Sequence, residues 1–235
     1  MRRALLGIAL SLVATVACAQ DLRLWFRGTS GGGGGSATYI SSGVHDNAST
    51  TTYSFGTAAA GDILLMGCVN AATASLGINI TGAGALTALQ QDYINTALTT
   101  YNSLFWKQLS SGDVAIGTVT LTNGNVSGFC EFSVYRGATT ATLKSGGVFS
   151  AATDSFLTFT GFTPSGASKG IVALIHDRDT TGTPTATGFV ARGTTNSGTW
   201  LGIRADELTG YAGAGVTFNN FATTFSQTGW LIELT

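Results

Sequence analysis

The sequence predicts an all-β fold, an antiparallel β-sandwich of jelly-roll type, and three observations carry that prediction. Short runs of β-branched, aromatic and aliphatic residues succeed one another, each closed by a turn signal. Glycine is frequent, at 33 of 235 residues, and falls between the apolar runs, while proline occurs only twice. Charged residues make up 10% against 44% hydrophobic, far below the roughly 25% charged of ordinary soluble domains. Such a chain solvates itself with Ser, Thr, Asn and Gly, and Thr suits a pleated, half-buried surface. The length allows a sizeable core, and all-β sandwiches of this size commonly form one domain.

The chain opens with Arg2 and Arg3, then an apolar run from Ala4 to Ala17, then Ala17-Cys18-Ala19-Gln20. A charged n-region, a short h-region and an A-x-A site make a secretory signal peptide, residues 1–19, cut after Ala19. The run is short for a bilayer span. Two other outcomes stay open: a lipid on Cys18, or an uncleaved membrane leader. Either way the chain is expected to be exported, to the periplasm, the extracellular space or a virion surface, with membrane contact only through this leader. Leu22-Arg-Leu-Trp-Phe26 follows, and then Gly31 to Gly35 run without interruption. Residues 20–36 therefore read as a short segment and a glycine-rich linker of flexible coil.

The body, residues 37–235, reads as strand after strand. The expected strands are Ala37–Ser42, Thr50–Phe55, Asp62–Asn70, Leu76–Thr81, Leu98–Gln108, Ala115–Thr122 and Val126–Arg136. They continue as Phe156–Gly161, Gly170–His176, Gly188–Arg192, Thr199–Arg204, Gly215–Phe218 and Thr228–Leu234. Turn signals such as Ala60-Gly-Asp62, Ser111-Gly-Asp113, Asn123-Gly124 and Asn196-Ser-Gly198 separate them. Asn123-Gly124 is a hairpin signal, since both residues tolerate positive φ. From Val126 to Tyr135, Cys130, Phe132 and Val134 share one face; Phe129, Glu131 and Ser133 share the other. Ile63-Leu-Leu-Met66 is apolar on both faces, as in the middle of a sandwich. Only Leu86 to Leu98 offers a helical turn or two, and no repeat of solenoid length is evident.

Removal of the leader leaves Cys68 and Cys130. They form a disulfide if their strands are neighbours, or they sit as buried thiols.

Three segments carry a resemblance. Thr57-Ala-Ala-Ala-Gly-Asp-Ile-Leu-Leu-Met66, the aromatic run Tyr101-Asn-Ser-Leu-Phe-Trp-Lys107 with its Gly112-Asp113 turn, and Phe132-Ser-Val-Tyr-Arg-Gly-Ala138 come in order. Together they resemble the β-sandwich domains of bacteriophage tail and virion-surface proteins, over roughly residues 37–144. Those domains carry a Pro-x-Gly-Trp element where Gly82-Ala-Gly84-Ala-Leu86 stands here. A signal peptide also departs from an ordinary tail protein, which assembles in the cytoplasm. The resemblance implies a virion or surface role and supplies no catalytic residues.

Candidate chemistry is sparse. Gly28-Thr-Ser30-Gly-Gly32 matches a nucleophile elbow but opens a glycine linker instead of joining strand to helix. The histidines, His45 and His176, each precede an Asp, and strand neighbours point to opposite faces. No zinc spacing occurs. Asp177, Asp179 and Thr181 begin a calcium-loop pattern whose twelfth position is Gly188 where Glu is needed, so a loop-bound calcium is the one cofactor considered. Glu131 is the acid to examine for a glycosidase pair, with Arg136 or Lys107 as structural partners. Trp106 and Trp230 sit in apolar strands as core. Trp200 follows the loop that holds Asn196, which makes these two the candidate ligand-binding residues at a rim.

The net charge is −1; loss of Arg2 and Arg3 from 11 basic residues leaves 9 against 12 acidic, a net of −3. With no basic stripe, nucleic acid is excluded as a partner. The sequence therefore points to a non-catalytic, phage-like virion or surface structural protein with receptor or glycan attachment. Its expected partners are other virion or surface proteins, a further copy of itself, and a cell-surface glycan. The alternatives are an exported carbohydrate-binding or adhesive module, and an exported hydrolase.

Overall fold

The computed structural model describes residues 35–46, 50–70, 79–81, 86–95, 100–122, 128–150, 154–178, 182–196, 201–221 and 227–235. They are nearly all strand. The first eight strands are β1 (Thr38–Asp46), β2 (Thr50–Ser54), β3 (Ile63–Asn70), β4 (Asn79–Thr81), β5 (Thr87–Asn95), β6 (Thr100–Gln108), β7 (Thr118–Thr122) and β8 (Gly128–Arg136). Eight more follow: β9 (Ala141–Ser150), β10 (Phe156–Phe159), β11 (Gly170–Asp177), β12 (Gly182–Thr185), β13 (Val190–Asn196), β14 (Leu201–Glu207), β15 (Val216–Phe221) and β16 (Gln227–Leu234).

These strands make four antiparallel sheets and no closed barrel. Strands β1-β8-β3-β6-β5 form one large sheet and β2-β7-β4 a small one. The second half of the chain repeats the scheme. Its large sheet runs β9-β16-β11-β14-β13 and its small sheet β10-β15-β12. Numbered within each half, both read 1-8-3-6-5 and 2-7-4. Eight strands split over two sheets in this order have jelly-roll connectivity, with the fifth strand carried on the larger sheet. The expected sandwich is thus present twice.

Among the described residues three large cores, with a small fourth cluster of Val69 and Phe129, hold the sheets in a stack. Phe55, Val119, Leu64, Met66, Phe105 and Phe132 fill the space between the first small sheet and the first large sheet. Leu65, Leu104 and Tyr135 meet Val172, Leu174, Trp230 and Ile232 between the two large sheets. Phe159, Phe218 and Val216 meet Ile171, Ile175 and Ile203 between the second large sheet and its small one. Both large sheets are covered on each side, which explains Ile63-Leu-Leu-Met66: β3 buries successive side chains in different cores. Gly67 lies at a close approach between the halves. A Cβ there would stand 2.9 Å from the Trp230 ring and 3.3 Å from Leu174.

Two local readings change. Leu86 to Leu98 holds no described helix; its residues 87–95 are edge strand β5. The helix is α1, Ser111–Ile116, where a turn and the start of a strand were expected. Ser110 caps it: its hydroxyl accepts from the Asp113 backbone N–H, and the Asp113 carboxylate accepts from the Ser110 backbone N–H. Gly117 ends it at φ 71°, a left-handed conformation that suits glycine. The Ser-Gly-Asp signal that reads as a turn is here the first turn of a capped helix.

Candidate functional site

Cys68 and Cys130 lie directly opposite each other on β3 and β8, with Cα atoms 4.1 Å apart, and are joined as a disulfide. Asp177 ends β11 and is fully buried. Asp179, Thr181 and Trp200 lie outside the described residues, as do residues 1–34 with the leader, Ser30 and most of the glycine run. Asn196 closes β13, and its side chain is likewise outside them. No three acidic, His or Cys side chains among the described residues converge as a metal set. No helix among them is long and apolar enough to cross a membrane.

The three segments that carry the phage-domain resemblance bond to one another. Arg136, from the Tyr-Arg-Gly segment, donates from Nε and Nη2 to both carboxylate oxygens of Asp62 at 3.0 and 2.9 Å. Arg136 Nη2 also donates to the Thr57 carbonyl. Gly61 N–H donates to the Leu109 carbonyl and Leu109 N–H to the Asp62 carbonyl. Lys107 Nζ meets Asp113 at 2.9 Å. Burial alone would raise the Asp113 carboxyl, but Lys107 and the Ser110 donors outweigh it and hold it below its ordinary value. This end of the first half is a braced structural corner.

Glu131 has other partners than Arg136 or Lys107, which are engaged there. It projects from β8 into the space between the large sheets, where it is fully buried. Its Oε1 lies 3.3 Å from His176 Nε2, close enough for an ion pair yet not aligned as a hydrogen bond. Its Oε2 accepts from Arg204 Nη1 at 3.5 Å, and Arg204 Nη2 donates to Thr195. His176 is the next-to-last residue of β11, one short of the strand end, and its ring sits edge-on between Phe129 and Trp230, 5.4 Å from each. Trp230 Nε1 donates to Gln90 of β5 across the same interface. Beside them Arg192 donates to buried Asp206 at 2.7 Å. Burial, reinforced by the Asp206 charge, pushes the Tyr135 phenol well above its ordinary value, so it stays protonated. Gly202 leaves room for the cluster: a Cβ there would stand 2.5 Å from the Phe129 ring and 2.9 Å from Glu131 Oε2. An acid beside an imidazole is a catalytic pairing in an open site. Here both groups are fully buried.

A cleft of about 370 Å³ opens instead on the second half. Its walls are the β12–β13 turn with Gly188 and Phe189, the β14–β15 connection with Tyr211, and the start of β15 with Thr217 and Asn219. Glu207, the last residue of β14, also lines it. Glu207 Oε1 accepts from Thr209 N–H at 2.8 Å, Thr209 Oγ1 at 3.0 Å and Gly210 N–H at 2.9 Å. The Tyr211 ring stacks, tilted, on Phe162 at 4.9 Å, and its hydroxyl donates to the Ala214 carbonyl. Burial pushes the Tyr211 phenol up, so the ring is neutral at ordinary pH. Sequence reasoning missed this group; the Thr-Gly-Tyr-Ala-Gly-Ala-Gly run at 209–215, an aromatic among glycines, was its one signal.

Comparison with protein-family models, with curated proteins and with solved structures found no match to the chain. The likeness to phage tail and virion-surface domains therefore rests on the three sequence segments alone.

Proposed function

We propose that the chain is a non-catalytic structural component of a phage-like virion or other exported surface, where it contributes to receptor or glycan attachment. The observation that carries this reading is the open edges of the stack. Among the described residues no sheet closes on itself, so β1 and β5, β9 and β13, and the outer strands of both small sheets are edge strands there. Unpaired backbone at an edge templates contacts between chains. Apolar side chains stand exposed on two such strands, Val190 of β13 at 52% and Phe156 of β10 at 44%. The sealing of the acid–imidazole pair adds support, because it leaves those groups a structural part.

A second reading, an exported carbohydrate-binding or adhesive module, is favoured by the cleft between Glu207 and Tyr211. A hydrolase draws less support, since Glu131 lies where no glycosidic bond can reach it. Antibodies against residues 37–235 test the first reading by immunogold labelling of intact particles from the source culture. Labelled particles are expected. Label confined to the particle-free supernatant contradicts the reading.

A further inference from the structure

The repeated topology gives the cleft a reference. In the first half, the connection from the sixth strand to the seventh is residues 109–117, and it carries the capped helix α1. In the second half the equivalent connection is residues 208–215, which hold no helix. The cleft opens along that connection. Its glycines keep the wall thin and its backbone accessible, and Tyr211 is the one large side chain the segment contributes after Leu208.

Four features of the lining define a ligand. The volume is at the small end of the roughly 300–1,000 Å³ of ligand pockets, so it suits one small ring. Two partly exposed aromatic rings are held in place by others, Tyr211 by Phe162 and Phe189 edge-on by Phe218 at 5.3 Å. The Glu207 carboxylate is fixed by three donors to Oε1, while Oε2 takes no hydrogen bond among the described residues. Gly188 keeps Oε2 open: a Cβ there would stand 3.1 Å from it. No Lys, Arg or His lines the cleft, so nothing compensates an anionic ligand. A fixed acceptor beside two partly exposed aromatic rings suits a ligand with hydroxyls on its rim and C–H bonds on its face.

We propose that this cleft is a saccharide-binding site, in which Tyr211 stacks on the C–H face of one sugar ring and Glu207 Oε2 accepts from its hydroxyls. The inference deepens the attachment part of the proposed function and assigns it to the second half. It is tested on purified protein, so it stands or falls apart from where the chain is found. The probes are the methyl glycosides of glucose, galactose, mannose and N-acetylglucosamine, titrated into ¹⁵N-labelled protein to about 20 mM, a range that captures millimolar affinity. Choline is the control, because an ammonium ion also binds aromatic rings beside a carboxylate.

At least one glycoside is expected to shift the amides of Phe189, Glu207 and Tyr211 saturably. Glu207→Gln and Tyr211→Ala should each weaken binding about tenfold or more, equivalent to about 1.4 kcal/mol, while Tyr211→Phe keeps it. Glu207→Gln retains an acceptor for Thr209 and Gly210, so its loss of binding reports on the ligand and not on the loop. Absence of any glycoside shift at these amides overturns the proposal. So do shifts centred elsewhere, or shifts with choline alone.

Discussion

Glu131, His176 and Arg204 form a polar cluster buried between the two large sheets. Removing one partner of such a group leaves a buried charge uncompensated, which typically costs about 3–5 kcal/mol. Arg204→Met should therefore lower the denaturant midpoint by that equivalent, read by urea unfolding; a change within error would show the cluster to be solvated. Gly67→Ala presses a methyl group on Trp230 and should cost about 1–3 kcal/mol in the same assay. Asp113 and Glu233 add a pH term. Burial would raise Glu233, but Lys144 and the Ser165 donors outweigh it and hold it, like Asp113, below its ordinary value. A lowered folded value means stability that is full above the ordinary values of 3.8 and 4.5 and lost as pH falls through the lower folded ones. Melting of wild type, Asp113→Asn and Glu233→Gln should thus differ at neutral pH and converge in acid. At this scale the sequence was half legible. Alternation placed Glu131 on the face with Phe129 and Ser133, but its partners come from strands far along the chain, so no spacing announces them.

Among the elements, the strands with alternating or continuous apolar runs were readable: β3, β6, β8, β11 and β16 all fall where expected. The strands β9 and β12 were not. In β9, Lys144-Ser-Gly-Gly147 looks like a turn, and only pairing with β16 makes it a strand. Edge strand β5 is rich in Gln and Asp, residues with little strand preference, and pairs with β6 through two irregular steps. Helix α1 was hidden because its cap uses the same residues as a turn. The disulfide required knowing that β3 and β8 are neighbours. It closes a separation of 62 residues, and the chain-entropy argument gives it about 4 kcal/mol. Thiol labelling of unfolded, unreduced protein should be blank at Cys68 and Cys130, and reduction should lower stability by that order; labelled thiols would refute the bond.

For the whole molecule, the doubled topology is the feature least visible in the sequence. One trace exists. Ala37-Thr-Tyr-Ile-Ser-Ser-Gly-Val44 and Ala141-Thr-Leu-Lys-Ser-Gly-Gly-Val148 agree at five of eight positions, and each covers the start of the first strand of its half, Thr38 in β1 and Ala141 in β9. Elsewhere the halves share burial pattern more than identity, because a core accepts many apolar residues of similar volume. The candidate cleft was invisible for a related reason: it arises from what the 208–215 connection lacks relative to its counterpart. The sequence also predicts that protease nicks the chain near Gly31–Gly35 and leaves the body from about residue 37 resistant; digestion of the body would refute that boundary. Assembly into particles is tested by mass spectrometry of particles pelleted from the source culture, read for this chain and its first residue. Peptides of the body are expected in the particles at the level of a structural component. Finding the chain only as free protein beginning at Gln20 would contradict it and make the chain a secreted module.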